Sequence, residues 1–171
     1  MNDAVEKYKI QNLCLAGGVA LNCKMNGSIL EKSKIRNLFV QPASSDDGVS
    51  LGAAMVIARK LGDNVKTNLV HSRFGTSYSN TEVEDILKTL NIRYRKSNQI
   101  AIDVANYLSN NKIVGWHQGP MEFGPRALGG RSILANPCEE NARDKVNERV
   151  KYRESWRPFC PSLTAESFSE Y

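Results

Sequence analysis

Short apolar runs, each ended by glycine or a polar break and followed by a helical pattern, set what this chain can fold into. Residues 12–16 predict a buried strand that stops at Gly17-Gly18, and residues 19–33 predict a helix with Asn26-Gly27 as its weak point. Residues 37–40 predict a second strand, residues 42–47 a polar loop, and residues 49–61 a helix whose small residues allow close packing. The polar, aperiodic stretch 62–68 predicts a domain boundary, dividing the chain into 1–68 and 69–171. Beyond it, Ser79 is placed to cap a helix with Val83, Ile86, Leu87 and Leu90 on one face. Residues 92–95 read as strand-like, 99–108 as a helix, 112–117 and 132–135 as strands, and 139–148 as a charged helix. Helices and strands in alternation predict a mixed α/β class.

No apolar run nears the roughly 20 residues that span a bilayer. Residues 1–9 lack the apolar stretch of a secretion signal, so a cytoplasmic location is expected. The net charge of +5, from 23 Lys and Arg against 18 Asp and Glu, is spread along the chain rather than gathered in a basic arm. Non-specific nucleic-acid binding is therefore not implied, whereas an anionic small molecule suits a mild positive excess. Cys14, Cys23, Cys138 and Cys160 include no Cys-x-x-Cys pair and accompany two histidines. This argues against structural zinc and predicts buried free thiols.

Four segments have the residue types of a chemical site. In Ala16-Gly17-Gly18-Val19-Ala20-Leu21-Asn22 a strand runs through two glycines toward a helix. That arrangement lets backbone N–H groups approach a phosphate, or simply makes a tight turn. In Ser44-Ser45-Asp46-Asp47-Gly48 two carboxylates precede a helix, where they either ligate a divalent metal or cap the helix. The stretch 119–132 sets Arg126 and Arg131 in a frame of glycines and prolines. Arginine's planar fork matches phosphate or carboxylate oxygens, the structural alternative being an Arg126–Glu122 pair. Residues 151–159 interleave Lys151, Arg153 and Arg157 with Tyr152, Trp156 and Phe159, a pattern suited to a nucleotide, an acyl phosphate or single-stranded nucleic acid. His71 and His117 read as structural rather than as bases. Neither Gly-x-Ser-x-Gly nor His-Glu-x-x-His occurs, so serine-hydrolase and zincin chemistry have no carrier.

Taken in order, these segments resemble the O-carbamoyltransferases of nodulation and antibiotic tailoring. The likeness rests on Gly17-Gly18-Val19-Ala20 with Asn22, on Asp46, Gly48 and Gly52-Ala53-Ala54, on Glu122 to Ala135, and on Lys151, Arg153-Glu154, Arg157-Pro158-Phe159 and Pro161. It implies the end of an actin-like ATPase-fold (ASKHA) domain followed by part of a YrdC-like α/β domain. It also implies an activity: carbamoyl phosphate is activated with ATP to carbamoyl adenylate, and the carbamoyl group passes to a hydroxyl of a small-molecule acceptor. By this resemblance Arg126, Lys151 and Arg157 hold carbamoyl phosphate and ATP, with Arg131, Ser132 and Arg153 as neighbours. Gly17 and Gly18 belong to a nucleotide-binding turn, and Asp46 is a ligand of the first domain's metal, iron, with magnesium accompanying ATP.

Family members are several times longer, and no His-x-x-x-His segment is present here to supply further metal ligands. The chain is therefore expected to be a fragment across the domain junction, incomplete and inactive alone. Rival readings are a threonylcarbamoyl- or hydrogenase-maturation-type carbamoyl transferase, which shares both domain types, and a nucleic-acid-binding module built on residues 151–159. Open sheet edges left by truncation would favour self-association, such as a homodimer.

Overall fold

The computed structural model describes residues 1–65, 69–167 and 170. Part of the predicted boundary stretch, residues 66–68, lies outside the described residues. The chain forms a mixed α/β structure of two compact units: residues 1–77 with 119–130, and residues 78–118 with 131–171.

The first unit contains α1 (Asn2–Tyr8), β1 (Asn12–Leu15), α2 (Cys23–Lys32), β2 (Asn37–Val40) and α3 (Val49–Lys60). β1 and β2 pair in parallel, Asn12 opposite Asn37 through Leu15 opposite Val40, with α2 as the crossover. Alternation puts Leu13, Leu15, Leu38 and Val40 on the half-buried face and Cys14 and Phe39 on the exposed one. Val5, Ala20, Ile35 and Ala43 form the buried apolar centre. The helix predicted from residue 19 begins at Cys23 instead. Residues Gly18–Leu21 make a 3-10 turn, and the Asn22 side chain accepts the Met25 amide, supplying the N-cap. Asn26-Gly27 stays helical, the Asn26 Nδ2 donating to the Ala20 carbonyl at 2.8 Å.

The second unit contains α4 (Asn80–Thr89), α5 (Ile100–Ser109), β3 (Val114–His117), β4 (Arg131–Leu134) and α6 (Ala142–Val146), the last running into a π-helical turn, Asn147–Lys151. β3 and β4 pair antiparallel, with His117 opposite Arg131 and Trp116 opposite Ser132. Ser79 caps α4 as the sequence anticipated, and Glu82 completes a full capping box with it. Residues 92–95 form no strand. Tyr94 instead donates its hydroxyl to Glu84 at 2.8 Å, and Glu84 also pairs with Lys88 at 3.0 Å. A side-chain tie back to α4 thus takes the place of a ladder. Val83 and Ile86 of α4 and Leu90 just after it remain exposed. The charged helix predicted over 139–148 is shorter, because the π turn takes over at Asn147.

All four cysteines are exposed, against the expectation of buried thiols. For Cys14 the cause is its place on the uncovered face of β1. No helix among the described residues is long and apolar enough to cross a membrane.

Candidate functional site

In the first unit the glycine- and proline-rich segment 119–130 is held by its own backbone. Phe123 N–H donates to the Ser72 carbonyl at 2.6 Å, Gly75 N–H to the Met121 carbonyl at 2.9 Å, and Met121 N–H to the Thr76 carbonyl at 3.2 Å. An antiparallel bridge joins Arg73 and Glu122. Inside this frame Glu122, only 5% exposed, turns its carboxylate on the loop: one oxygen accepts the amides of Leu128 at 2.7 Å and Gly130 at 2.6 Å. Two charge-assisted bonds to one buried oxygen give the loop a fixed curve with Arg126 on it. Gly124 sits at φ 103°, and a Cβ there would lie 2.5 Å from the Pro42 carbonyl oxygen, so only glycine allows this approach.

Arg126 is exposed and does not pair with Glu122. Its guanidinium donates to the Leu21 carbonyl at 3.4 Å. The loop thereby meets the segment that follows Gly17-Gly18. Ala20, Leu21, Cys23, Asn26, Val40, Gln41, Pro42, Arg126 and Leu128 line a cleft of about 210 Å³. Two sequence motifs 105 residues apart thus share one wall.

Gly17 and Gly18 adopt a geometry other than the one expected of a phosphate loop. The Gly17 amide is already committed to the Ser44 carbonyl, and Gly18 opens a 3-10 turn rather than an α-helix. The helix end that would face an anion belongs to Asn22 and Cys23. Asp46 and Asp47 are exposed in a 3-10 turn, Asp46–Gly48, and neither side chain caps that turn or α3. Among the described residues, no three of His, Cys, Asp or Glu come together as a metal site. A lone pair of neighbouring carboxylates does not make an iron centre. The residues present do not by themselves fit the metal that the family resemblance implies, and no step is routed through it.

The second unit holds the other predicted residues. Arg131 and Ser132 lie on β4. Lys151 ends the π turn, and Tyr152 follows in the left-handed region at φ 47°. Arg153 lies over the Phe159 ring, 4.8 Å from its centroid, and Arg157 lies 5.5 Å from the Trp156 centroid. Arg157 also pairs with Glu154 at 2.9 Å. Glu154's carboxyl is held below the ordinary carboxylate range, first by a bond to its own backbone and then by the Arg157 charge. His117 is exposed on β3, and His71 stacks on Phe74 at 5.0 Å.

Pattern reading missed Asn147. It is fully buried, and its amide group contacts the backbone or side chain of Ser155, Arg157 and Arg153. In the sequence it is one polar residue within a charged run, and nothing there marks it for burial.

Family models for the carbamoyltransferase N-terminus and the carbamoyltransferase C-terminus match residues 1–55 and 105–171. The chain belongs to the carbamoyltransferase family. The chain is 43% identical over 163 residues to the nodulation protein NolO of Bradyrhizobium diazoefficiens, covering 93% of the chain and 30% of that protein. It is 40% identical over 179 residues to an uncharacterised protein of Synechocystis sp., covering 99% and 29%. To the 3'-hydroxymethylcephem-O-carbamoyltransferase of Streptomyces clavuligerus it is 31% identical over 160 residues, covering 92% and 29%. The chain thus spans about three-tenths of the length of these relatives.

Proposed function

We propose that this chain is the part of a carbamoyltransferase that holds the phosphate groups of carbamoyl phosphate and ATP while carbamoyl adenylate forms. The observation that carries the reading is the buried Glu122 carboxylate, which fixes the loop bearing Arg126 through the Leu128 and Gly130 amides in a chain matched by both carbamoyltransferase models. A loop so rigidly held supports a preorganised anion ligand.

In the proposed reaction water first cleaves carbamoyl phosphate to carbamate and inorganic phosphate. A carbamate oxygen then attacks the α-phosphorus of magnesium-bound ATP, forming carbamoyl adenylate and expelling pyrophosphate. Negative charge crowds at each step, and Arg126, Lys151 and Arg157 are assigned as positive groups that offset it, with Arg131, Ser132 and Arg153 assigned supporting contacts. Serving only as charge and hydrogen-bond donors, these residues form no covalent intermediate. In the whole protein a hydroxyl of a small-molecule acceptor takes the carbamoyl group and AMP leaves. The printed name of the Streptomyces relative, an O-carbamoyltransferase, supports a hydroxyl acceptor.

Residues 1–68 are read as the end of an actin-like ATPase-fold carbamoyl-transfer domain. Residues 69–171 are read as part of a YrdC-like domain, with residues 119–130 of that range packing into the first compact unit. Family-model matches at the two ends, with residues 56–104 between them, support that division. Asp46 contributes at most one ligand to a metal in the whole protein.

The test is calorimetric titration of the chain with carbamoyl phosphate, alone and with ATP and magnesium, beside an Arg126→Ala variant. Binding by the parent chain that Arg126→Ala weakens at least about tenfold is expected, the loss of one charge-assisted contact. A folded parent chain that binds neither ligand, or an Arg126→Ala variant that binds as the parent does, refutes the assignment.

A further inference from the structure

The second unit contains a device that the reaction scheme does not use. Asn147 is the first residue of the π-helical turn, and its exposure is 0%. Its Nδ2 donates to the Ser155 carbonyl at 3.2 Å and to the Arg157 carbonyl at 3.0 Å. Its Oδ1 accepts the Arg153 Nε at 2.8 Å, and its backbone carbonyl accepts the Arg153 amide at 3.1 Å. One side chain therefore satisfies both ends of the loop that follows Lys151. A buried amide with both its oxygen and its nitrogen engaged adds direction as well as stability.

The arrangement acts on the two arginines differently. Arg153 is fastened through Nε and stacked on Phe159, which leaves its two terminal nitrogens for an anion. Arg157 is fastened through its backbone carbonyl, while its Nε is taken by Glu154. Immobilising two long side chains before a ligand arrives removes part of the ordering cost of binding. A π turn at the start of the loop fits this role, since such turns recur at functional sites.

We propose that Asn147 is a positioning residue of the anion site: it presents Arg153 and Arg157 to carbamoyl phosphate and does not itself touch the ligand. This rests on the assignment of these arginines to phosphate binding made above. Lys151, at the C-terminal end of the same π turn, is set by the same segment.

Four proteins test it: the parent chain, Asn147→Ala, Arg153→Ala and the double variant, each titrated with carbamoyl phosphate after its thermal unfolding has been recorded by circular dichroism. Asn147→Ala is expected to bind about ten- to a hundredfold more weakly than the parent. In the Arg153→Ala background the same change is expected to cost at least about threefold less than in the parent, because the part of its effect that runs through Arg153 is already gone and only the Arg157 part remains. A purely structural asparagine lowers the unfolding temperature without this coupling. Parent-like binding by Asn147→Ala, or an equal loss in both backgrounds, overturns the proposal and leaves the phosphate-site reading intact. A folded parent chain that binds no carbamoyl phosphate removes that reading and the proposal with it. Should Asn147→Ala not fold, the isosteric Asn147→Asp forfeits the donor to the Ser155 and Arg157 carbonyls. It is expected to cost about tenfold in the parent and little in an Arg157→Ala background, and equal costs in the two again overturn the proposal.

Discussion

Glu122 offers a way to separate charge from hydrogen-bond capacity in the arginine-bearing loop. Its carboxylate oxygen takes two amides, at 2.7 Å from Leu128 and 2.6 Å from Gly130, from a side chain that is 5% exposed. Alanine removes the acceptor. The Gly130 amide is then stranded in a buried position, while the Leu128 amide, on an exposed residue, turns to water. One full charge-assisted bond and part of a second are lost, about 3 kcal/mol in all. Glutamine keeps an acceptor oxygen of the same reach and gives up only the charge. Because charge-assisted bonds are roughly twice as strong as neutral ones, Glu122→Gln is expected to cost about 1.5 kcal/mol. Amide hydrogen exchange reads the local opening directly. Protection at Gly130 is expected to fall about a hundredfold in Glu122→Ala and about tenfold in Glu122→Gln, at about 1.4 kcal/mol per factor of ten. Gly130→Ala adds a check, since its Cβ would lie 2.8 Å from Glu122 Oε2: the clash should vanish when Glu122 is alanine. Equal protection in the Ala and Gln variants would refute the assignment of the loop's rigidity to this acceptor.

Two further outcomes follow from single contacts. Gly124→Ala forces a side chain into φ 103° and against the Pro42 carbonyl, and urea unfolding should show a loss of about 1–3 kcal/mol. Ser79→Ala removes the α4 cap and should cost about 1 kcal/mol by the same measurement. The Ser79 amide, and next its hydroxyl, hold the Glu82 carboxyl below its ordinary range. That support is fully present above the ordinary carboxylate range and is lost as pH falls through the lowered folded value. Unfolding followed from about pH 6 to 3 should therefore show a smaller acid loss in Glu82→Gln than in the parent.

How legible the chain was depends on whether the deciding partner lay nearby. The Ser79 cap of α4 was readable because its partners, the Glu82 amide and carboxylate, lie only three residues away. The short apolar runs around Leu13–Leu15 and Leu38–Val40 marked β1 and β2 equally well, since run and break lie within the segment itself. The reading failed at residues 92–95, where Tyr94 is drawn to Glu84, and at residue 19, where Asn22 supplies a better helix start than Gly18. Burial of the cysteines also failed as an expectation, because period alone does not say which face of a two-stranded sheet is covered.

The site divides in the same way. Residue type and order alone carried the resemblance to the carbamoyltransferases and placed arginines in two loops, because motif order, guanidinium chemistry and glycine punctuation are written in the chain itself. Tertiary structure alone decided that Arg126 reaches the Leu21 carbonyl rather than Glu122, and that Glu122 instead binds the loop's own amides. It alone decided that Asn147 is buried beneath Arg153 and Arg157. A buried polar group takes whichever partner the fold brings within about 3 Å, and a linear sequence does not contain that distance.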